Sequence, residues 1–339
     1  MRKHSAAIIQ HYYGKLPNYF PLWLKSAGCN PQFDFMIFTD CDFSGYKVPG
    51  NVHVIHMTFD ELRARIAQHL DFPFVCDTAY KACDYRPMYG LIFEDYLADY
   101  EFWGTCDPDE IWGDMGRFIT PEILDNYSRI YRLGHLQLFR NTEDVRTFAL
   151  HELPSCPFSY KDIFRTKAHI AYEEKALAAE LFSRFTLAGG GGQYWSPDYA
   201  DVHPYFKQFL VSGHTVPAFR WENGRIFGLS LDGKTGNDTE YLYVHLQKRA
   251  MNFTPGLEDE DSFMIVPNEF VKDHELTEDE AKSLMTPDAE YERAMRRKIS
   301  RSSRGFFGAV KAFLETDSVE KRMVIYRLMC RLLGKKSYI

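Results

Sequence analysis

Phe102-Trp103-Gly104-Thr105-Cys106-Asp107-Pro108-Asp109 is a short aromatic and apolar run that ends in two carboxylates one residue apart. The run reads as a buried β-strand and the acids as its C-terminal edge. Mg²⁺ and Mn²⁺ take oxygen ligands, keep several waters, and bind through one or two carboxylates plus substrate phosphates. Two acids at a strand edge therefore suit a metal-diphosphate, such as that of a nucleotide sugar. Asp-Pro-Asp is also ordinary turn chemistry, since Asp starts turns and Pro presets φ at the next position. The context favours a site, because strand edges in open α/β sheets are where ligands bind.

Upstream, the chain alternates strands with helices. An apolar strand at residues 5–10 is followed by a helix around residues 18–26, then by Phe33-Asp34-Phe35-Met36-Ile37-Phe38-Thr39 ending at Asp40. The strand Val52-His53-Val54-Ile55-His56 precedes a helix near Thr58, where Thr58 and Glu61 have capping-box spacing. A helical stretch around residues 87–97 leads into the Asp pair. This alternation predicts an α/β fold with a mostly parallel sheet covered by helices on both faces. Downstream, residues 130–139 read as strand and 175–185 as helix. Residues 188–193 form a glycine run, a loop or a close backbone approach to a ligand. Residues 241–246 read as strand. No internal repeat and no dinucleotide-fold glycine fingerprint occurs.

With 339 residues, 45% hydrophobic and 16% aromatic, the chain is long enough for a large core. Its seven cysteines are scattered with no Cys-x-x-Cys pair, so neither a disulfide framework nor a zinc cage is indicated, and a reducing cytoplasm is expected. The apolar stretch at residues 6–9 is too short for a signal-peptide core, and no run reaches the ~20 apolar residues of a spanning helix. Residues 291–339 hold 13 Lys/Arg against 4 Asp/Glu, whereas the other residues hold 27 against 43. An acidic body thus carries a basic tail, and it would repel nucleic acid.

Three further clusters carry candidate chemistry. His245-Leu246-Gln247-Lys248-Arg249 follows a strand: imidazole is a good Mn²⁺ ligand, and Lys248 and Arg249 can neutralise a departing diphosphate. The alternative is a solvated basic strand end. Lys81, Asp84 and Arg86, just before Pro87, are placed to meet base, ribose or sugar hydroxyls, or else to pair with one another. Asp40, closing its strand, can accept from a base or ribose. In an inverting transferase, Glu173 and Glu174 are candidates for the base that takes a proton from an acceptor hydroxyl, a role no side chain need play in a retaining one; the alternative is a solvated acidic helix start.

The stretches Lys15-Leu16-Pro17-Asn18-Tyr19-Phe20, Phe38-Thr39-Asp40, residues 81–86, Trp103 to Asp109 with Trp112-Gly113-Asp114, Leu138-Phe139-Arg140-Asn141-Thr142, and His245 to Arg249 resemble a bacterial family found with capsule, exopolysaccharide and lipopolysaccharide genes. That family is similar to GT-A glycosyltransferases, and the match covers roughly residues 1–255. The resemblance implies a GT-A-like, Rossmann-like domain in which Asp107 and Asp109 bind Mn²⁺ or Mg²⁺ and His245 is a third ligand. It also implies a UDP-sugar donor carrying galactose or glucose, and a saccharide or lipid-linked saccharide acceptor. Where that family tends to have Phe-Asp-Glu, this chain has Tyr172-Glu173-Glu174, a longer first acid.

Residues 256–290 read as an acidic peripheral segment, and 291–339 as a basic amphipathic helical extension. Phe306, Val310, Phe313 and Leu314 share one helix face; Val319, Met323, Tyr326, Cys330 and Leu333 form a stripe amid basic residues. Basic amphipathic helices bind anionic membrane surfaces, which would make the protein peripheral on the inner face of the cytoplasmic membrane. Packing on the core or an oligomer contact are the alternatives. Two rival functions remain: a phosphatase or phosphotransferase with Asp107 as nucleophile and Asp109 as acid/base, and a non-catalytic nucleotide-sugar-binding subunit.

Overall fold

Residues 4–186, 192–231, 235–247, 249–300 and 316–339 are described by the structure, a computed structural model. Four strands, β1 (Ala6–Tyr12), β2 (Asp34–Thr39), β3 (Val52–His56) and β4 (Phe102–Cys106), lie parallel in the order β3-β2-β1-β4. β1, β2 and β4 are largely apolar on both faces because both are covered; β3, at the sheet edge, leaves His53 and His56 exposed. Ala7, Ile9 and Trp103 face one core cluster; Ala6, Ile8 and Phe102 face another, which holds the helix Phe20–Gly28. The helix Phe59–Ala67 begins with the capping box read from the sequence: Thr58 Oγ1 accepts from the Glu61 N–H and Glu61 Oε2 from the Thr58 N–H.

After β4 the chain makes the short strand β5 (Glu110–Trp112) and then extends the sheet with β6 (Tyr127–Leu133) and β7 (Leu136–Arg140). β7 lies antiparallel to β4, β6 antiparallel to β7, and β8 (Gly192–Tyr194) closes the seven-stranded sheet parallel to β6. Residues 130–139 are therefore not one strand but a hairpin. Its break is the two-residue turn Gly134-His135; Tyr131, held at φ 60°, lies within β6, where the register to β7 shifts between Ile130 and Leu133. Gly104 has to be glycine, since a Cβ there would collide with the carbonyl of Gln137 on β7. The helical region read at residues 87–97 is broken into a 3₁₀ turn, Cys83–Met88, and two short helices, Tyr89–Ile92 and Glu94–Leu97.

A three-stranded sheet joins β5 to the strand Tyr243–His245, and that strand to β9 (Ala200–Asp201). Beyond it, a six-stranded sheet is built from residues 219–272. Its strand Phe219–Glu222 pairs with both Arg225–Leu229 and Ser262–Val266. Residues 262–272, expected as part of a peripheral acidic segment, are thus two core strands of this sheet. The acidic run before them is a surface turn that conceals the buried strands from a charge-based reading.

The tail helix Ser318–Leu332 starts at Asp317, which accepts from the Glu320 N–H as cap and ties the helix to Thr166 and Lys167. Of the stripe read as a membrane face, Val319, Met323, Tyr326 and Cys330 lie on the protein side, Met323 and Cys330 buried and Val319 and Tyr326 packed against the core, whereas its fifth residue, Leu333, is exposed. The helix predicted from Phe306 to Leu314 lies outside the described residues. Among the described residues, no helix is long and apolar enough to cross a membrane.

Candidate functional site

From β1 the chain moves outward to β2 on one side; β4 is added on β1's other side. The ends of β1 and β4 thus flank the point where the winding reverses, and a crevice forms there for geometric reasons. A cleft of about 790 Å³ opens at this point. Its walls include Tyr12 and Tyr13 at the end of β1, Asp107 and Asp109 after β4, and Glu173 opposite them.

The acid pair is held by its own backbone. Trp23 Nε1 donates to the Asp107 carbonyl at 3.3 Å, and the Leu246 N–H to the Asp109 carbonyl at 2.8 Å. Directly after Asp109, β5 pairs with Tyr243–His245 so that His245 lies opposite Glu110; on its other edge His245 lies opposite Asp201. Sheet register, rather than sequence proximity, brings the two acids and the histidine together. Ligand atoms of Asp107, Asp109 and His245 all fall within 4.8 Å of one another, and His245 Nε2 is 3.7 Å from Asp109 Oδ1.

The other ring nitrogen of His245 is 2.9 Å from Asp201 Oδ1. A carboxylate only accepts, so Nδ1 carries the proton and Nε2 of the neutral ring presents its lone pair toward the acid pair. Gln247 Nε2 donates to the same Asp201 oxygen, from a residue turned into left-handed backbone at φ 48°. This is the outer support that metal-ligating histidines usually have. His135 stacks on His245 at 4.4 Å between ring centres. His135, Asp201 and His245 form a second possible ligand group, but it would draw on the His245 nitrogen that Asp201 already occupies. Burial, reinforced by His245, lowers His135 to about 3, so it stays neutral.

The electrostatics favour a cation at the acid pair. Burial pushes Asp107 up, but the Arg86 guanidinium donating to its Oδ1, together with His245 and His135, more than offsets this and holds the carboxyl well below the usual range. For His245, burial disfavours the charged ring; the Asp201 bond and the charges of Asp109 and Asp107 outweigh it and raise the group above 6.5. Arg86 does not project freely toward a donor. It also donates to the Gly134 carbonyl at 2.7 Å and lies 3.7 Å from Glu173 Oε1, linking the acid pair to the opposite wall.

Glu173 and Glu174 sit in a 3₁₀ turn, Tyr172–Glu174, entered through Ala171 at φ 56°. Lys81 and Asp84, expected at the donor or else paired with one another, are paired with one another in the interior behind this turn. Lys81 Nζ donates to Asp84, Ile163 O and Ala168 O at 2.7, 2.8 and 2.9 Å. Asp84 in turn accepts from the N–H groups of Ile170 and Tyr172. The pair fastens the segment that delivers Glu173 to the cleft. Arg129, buried in β6, adds a bond to the Glu173 carbonyl at 2.9 Å. Burial raises the Glu173 carboxyl to about 8 against the opposing pull of Arg86. Glu174 is more constrained, since its Oε1 accepts from the Gly134 N–H at 2.7 Å. Gly134 leaves room for this: a Cβ there would lie 2.9 Å from Glu174 Oε1 and 3.0 Å from Glu173 Oε1.

The other candidates sit elsewhere. Asp40 is exposed at the end of β2 and does not line the cleft. Arg249 reaches the cleft wall, but its guanidinium is bound to the carbonyls of His203, Phe206 and Lys207 and to Asn268 Oδ1. Lys248 lies outside the described residues. Lys15, exposed on the cleft lining, is a cation that sequence reasoning passed over. Asp201, His135 and Gly134 were also passed over. Each is a lone residue whose partner in the site, His245 for Asp201 and His135 and Glu174 for Gly134, lies far along the chain, so no local pattern marks its role.

The profile of DUF6625, a family of unknown function, matches residues 8–274. No curated protein matches the chain. Among solved structures, the chain is similar to the galactosyltransferase LgtC in complex with donor and acceptor sugar analogues, at 10% identity over 58% of this chain and 75% of that one, with a TM-score of 0.27. An active-site mutant of LgtC shows 11% identity over the same shares, also with a TM-score of 0.27. Likeness at that level leaves the chemistry to be argued from the cleft itself.

Proposed function

We propose that this chain, which belongs to the DUF6625 family, is a divalent-metal-dependent glycosyltransferase that moves a hexose, galactose or glucose, from a UDP-sugar to a saccharide or lipid-linked saccharide acceptor in bacterial surface polysaccharide synthesis. The observation that carries the reading is the convergence of Asp107, Asp109 and an Asp201-oriented His245 on the crevice where the sheet's winding reverses.

Two carboxylates and an imidazole lone pair fit Mn²⁺ or Mg²⁺, with Mn²⁺ favoured by the nitrogen donor. When bound, such an ion neutralises charge on the donor's diphosphate. The chain's own residues do the rest. Arg86 keeps Asp107 ionised, and Asp201 keeps the His245 lone pair aimed at the acid pair. Lys15 takes the place at the leaving diphosphate that was expected of Arg249, whose charge is engaged elsewhere. In an inverting reaction Glu173, lifted toward neutrality by burial, takes the proton from the acceptor hydroxyl; a base with a pKa near the working pH is the efficient choice. Glu174 and Gly134 hold it in position.

The aspartyl-nucleophile reading draws less support. A carboxylate bonded to a guanidinium and held far below its ordinary pKa is a weakened nucleophile. A purely binding subunit gives no reason for a buried carboxyl raised to about 8 on the cleft wall. The test is UDP release from UDP-galactose and UDP-glucose with Mn²⁺ and a panel of saccharide acceptors. Acceptor-dependent release that a chelator abolishes, and that falls at least ~100-fold in His245→Ala, is the expected result. Turnover indifferent to chelator would remove the metal from the proposal.

A further inference from the structure

The helix Ser318–Leu332 carries two apolar stripes, and only one is used by the fold. Val319, Met323, Tyr326 and Cys330 face the protein, where the Tyr326 ring meets Phe158 at 5.5 Å between centres. Ile325, Leu328, Met329, Leu332 and Leu333 follow the spacing i, i+3, i+4, i+7, i+8, so they share a second face. They are between 49% and 85% exposed. Five of the nine large hydrophobics exposed among the described residues are on this one face, so they form a patch rather than the usual scatter.

Charge identifies the occupant. Residues 318–339 hold six basic side chains, Lys321, Arg322, Arg327, Arg331, Lys335 and Lys336, against one acid, Glu320. Arg322 is drawn off to Asp162 at 3.5 Å; Arg331, Lys335 and Lys336 stand exposed beside the apolar face. A second copy docked face to face would set these cations against their own duplicates. An anionic bilayer accepts both elements at once, the apolar stripe at the acyl boundary and the cations among the headgroups.

We propose that the outer face of this helix, Ile325-Leu328-Met329-Leu332-Leu333 with Arg331, Lys335 and Lys336, is a docking surface for an anionic lipid bilayer. The docking surface does not depend on the transferase reading. It differs from what amphipathic periodicity alone suggests, because four of the five residues of the stripe read from the sequence, all but Leu333, lie against the core. The helix is anchored by Asp317 to Thr166 and Lys167, and the Tyr338 carbonyl accepts from the Leu177 N–H, so the face is presented by a fixed element of the fold.

The test is flotation of the full chain with vesicles of phosphatidylglycerol or of phosphatidylcholine, at low and high salt. The chain is expected to float with phosphatidylglycerol, to stay behind with phosphatidylcholine, and to lose binding as salt rises. Leu328→Asp with Leu332→Asp is expected to cut the bound fraction at least ~10-fold, and Arg331→Glu with Lys335→Glu and Lys336→Glu to erase the lipid preference. These side chains are exposed, so thermal melts of the variants should match the parent. Failure of the parent chain to float, or undiminished flotation of both variants, overturns the proposal. So does a dimer that Leu328→Asp with Leu332→Asp dissolves in a chain that binds no vesicles, an outcome that would assign the face to a second copy.

Discussion

Removing the carboxylate of Asp201 should weaken Mn²⁺ binding although Asp201 is not itself a ligand in the proposed site. Its Oδ1 is 2.9 Å from His245 Nδ1, a bond between a carboxylate and an N–H that fixes both the tautomer and the ring plane. Such charge-assisted bonds contribute about 1.5–3 kcal/mol, against about 0.5–1.5 for neutral ones. Asp201 is 37% exposed, so the lower part of that range applies. Asp201→Asn keeps an acceptor and loses the charge, a difference of about 1 kcal/mol, or roughly a fivefold to tenfold weaker Kd. Asp201→Ala removes the acceptor and leaves Gln247 without this partner too; there the expected loss is nearer ~100-fold. The assay is calorimetric titration of metal-stripped full-length protein with Mn²⁺, with His245→Ala setting the ceiling. A pH series adds an independent reading. Because His245 is raised above 6.5 in the metal-free protein, protons compete below that range and affinity should fall about tenfold per pH unit. In Asp201→Asn the fall should begin at lower pH, since the neighbour that raises His245 has lost its charge. Mn²⁺ affinity within twofold of the parent in both Asp201 variants, with an unmoved pH midpoint, would refute the argument.

Glu173 gives two pH dependences of opposite sign. Its folded-state value, about 8, lies above the ordinary 4.5, so the folded protein retains a proton there, and the associated stability is present below 4.5 and lost as pH rises toward 8. Glu173→Gln should flatten that part of the melting-temperature profile. Turnover needs the ionised form and should rise with pH to a plateau above about 8, falling ~100-fold or more in the Gln variant. Gly134→Ala brings a methyl to 2.9–3.0 Å of two carboxylate oxygens. These are the ends of side chains and can shift, so stability should drop by only about 1–2 kcal/mol in denaturant titrations while turnover falls tenfold or more; unchanged turnover would contradict the placement of Glu173. Lys81→Met leaves the buried Asp84 without its cation. A loss of about 3 kcal/mol in the same titration is expected, near the lower limit for broken buried pairs because two backbone N–H groups still reach Asp84.

What the sequence discloses, and what it hides, follows from the range of each signal. β1, β2 and β4 are legible because parallel strands buried on both faces are nearly continuous apolar runs, β3 because its β-branched residues mark a short edge strand, and the Thr58–Glu61 cap because it is local. The Asp107–Asp109 edge is legible for the same reason. The hairpin of β6 and β7 is not, since strand-forming residues continue on both sides of its two-residue turn, Gly134-His135, and a lone glycine within a strand pattern also reads as a bulge. Lys81, Asp84 and Arg249 look like binding groups in sequence because charge alone does not reveal whether a side chain turns outward or inward. In the fold Lys81 and Asp84 pair with each other, the alternative the sequence offered, and the further partners that bury them lie far along the chain, at residues 163–172, as those of Arg249 do at 203–207. Asp201 and His245 are 44 residues apart and meet through parallel register, a relation that no local window contains.

The most direct test of the central claim is calorimetric titration of the purified chain with UDP, with and without Mn²⁺, in parallel with Asp107→Ala and Asp109→Ala. UDP binding that requires Mn²⁺ and disappears in both variants, with their melting transitions intact, is the predicted result. Binding of UDP that is indifferent to metal, or that survives loss of both carboxylates, would contradict it.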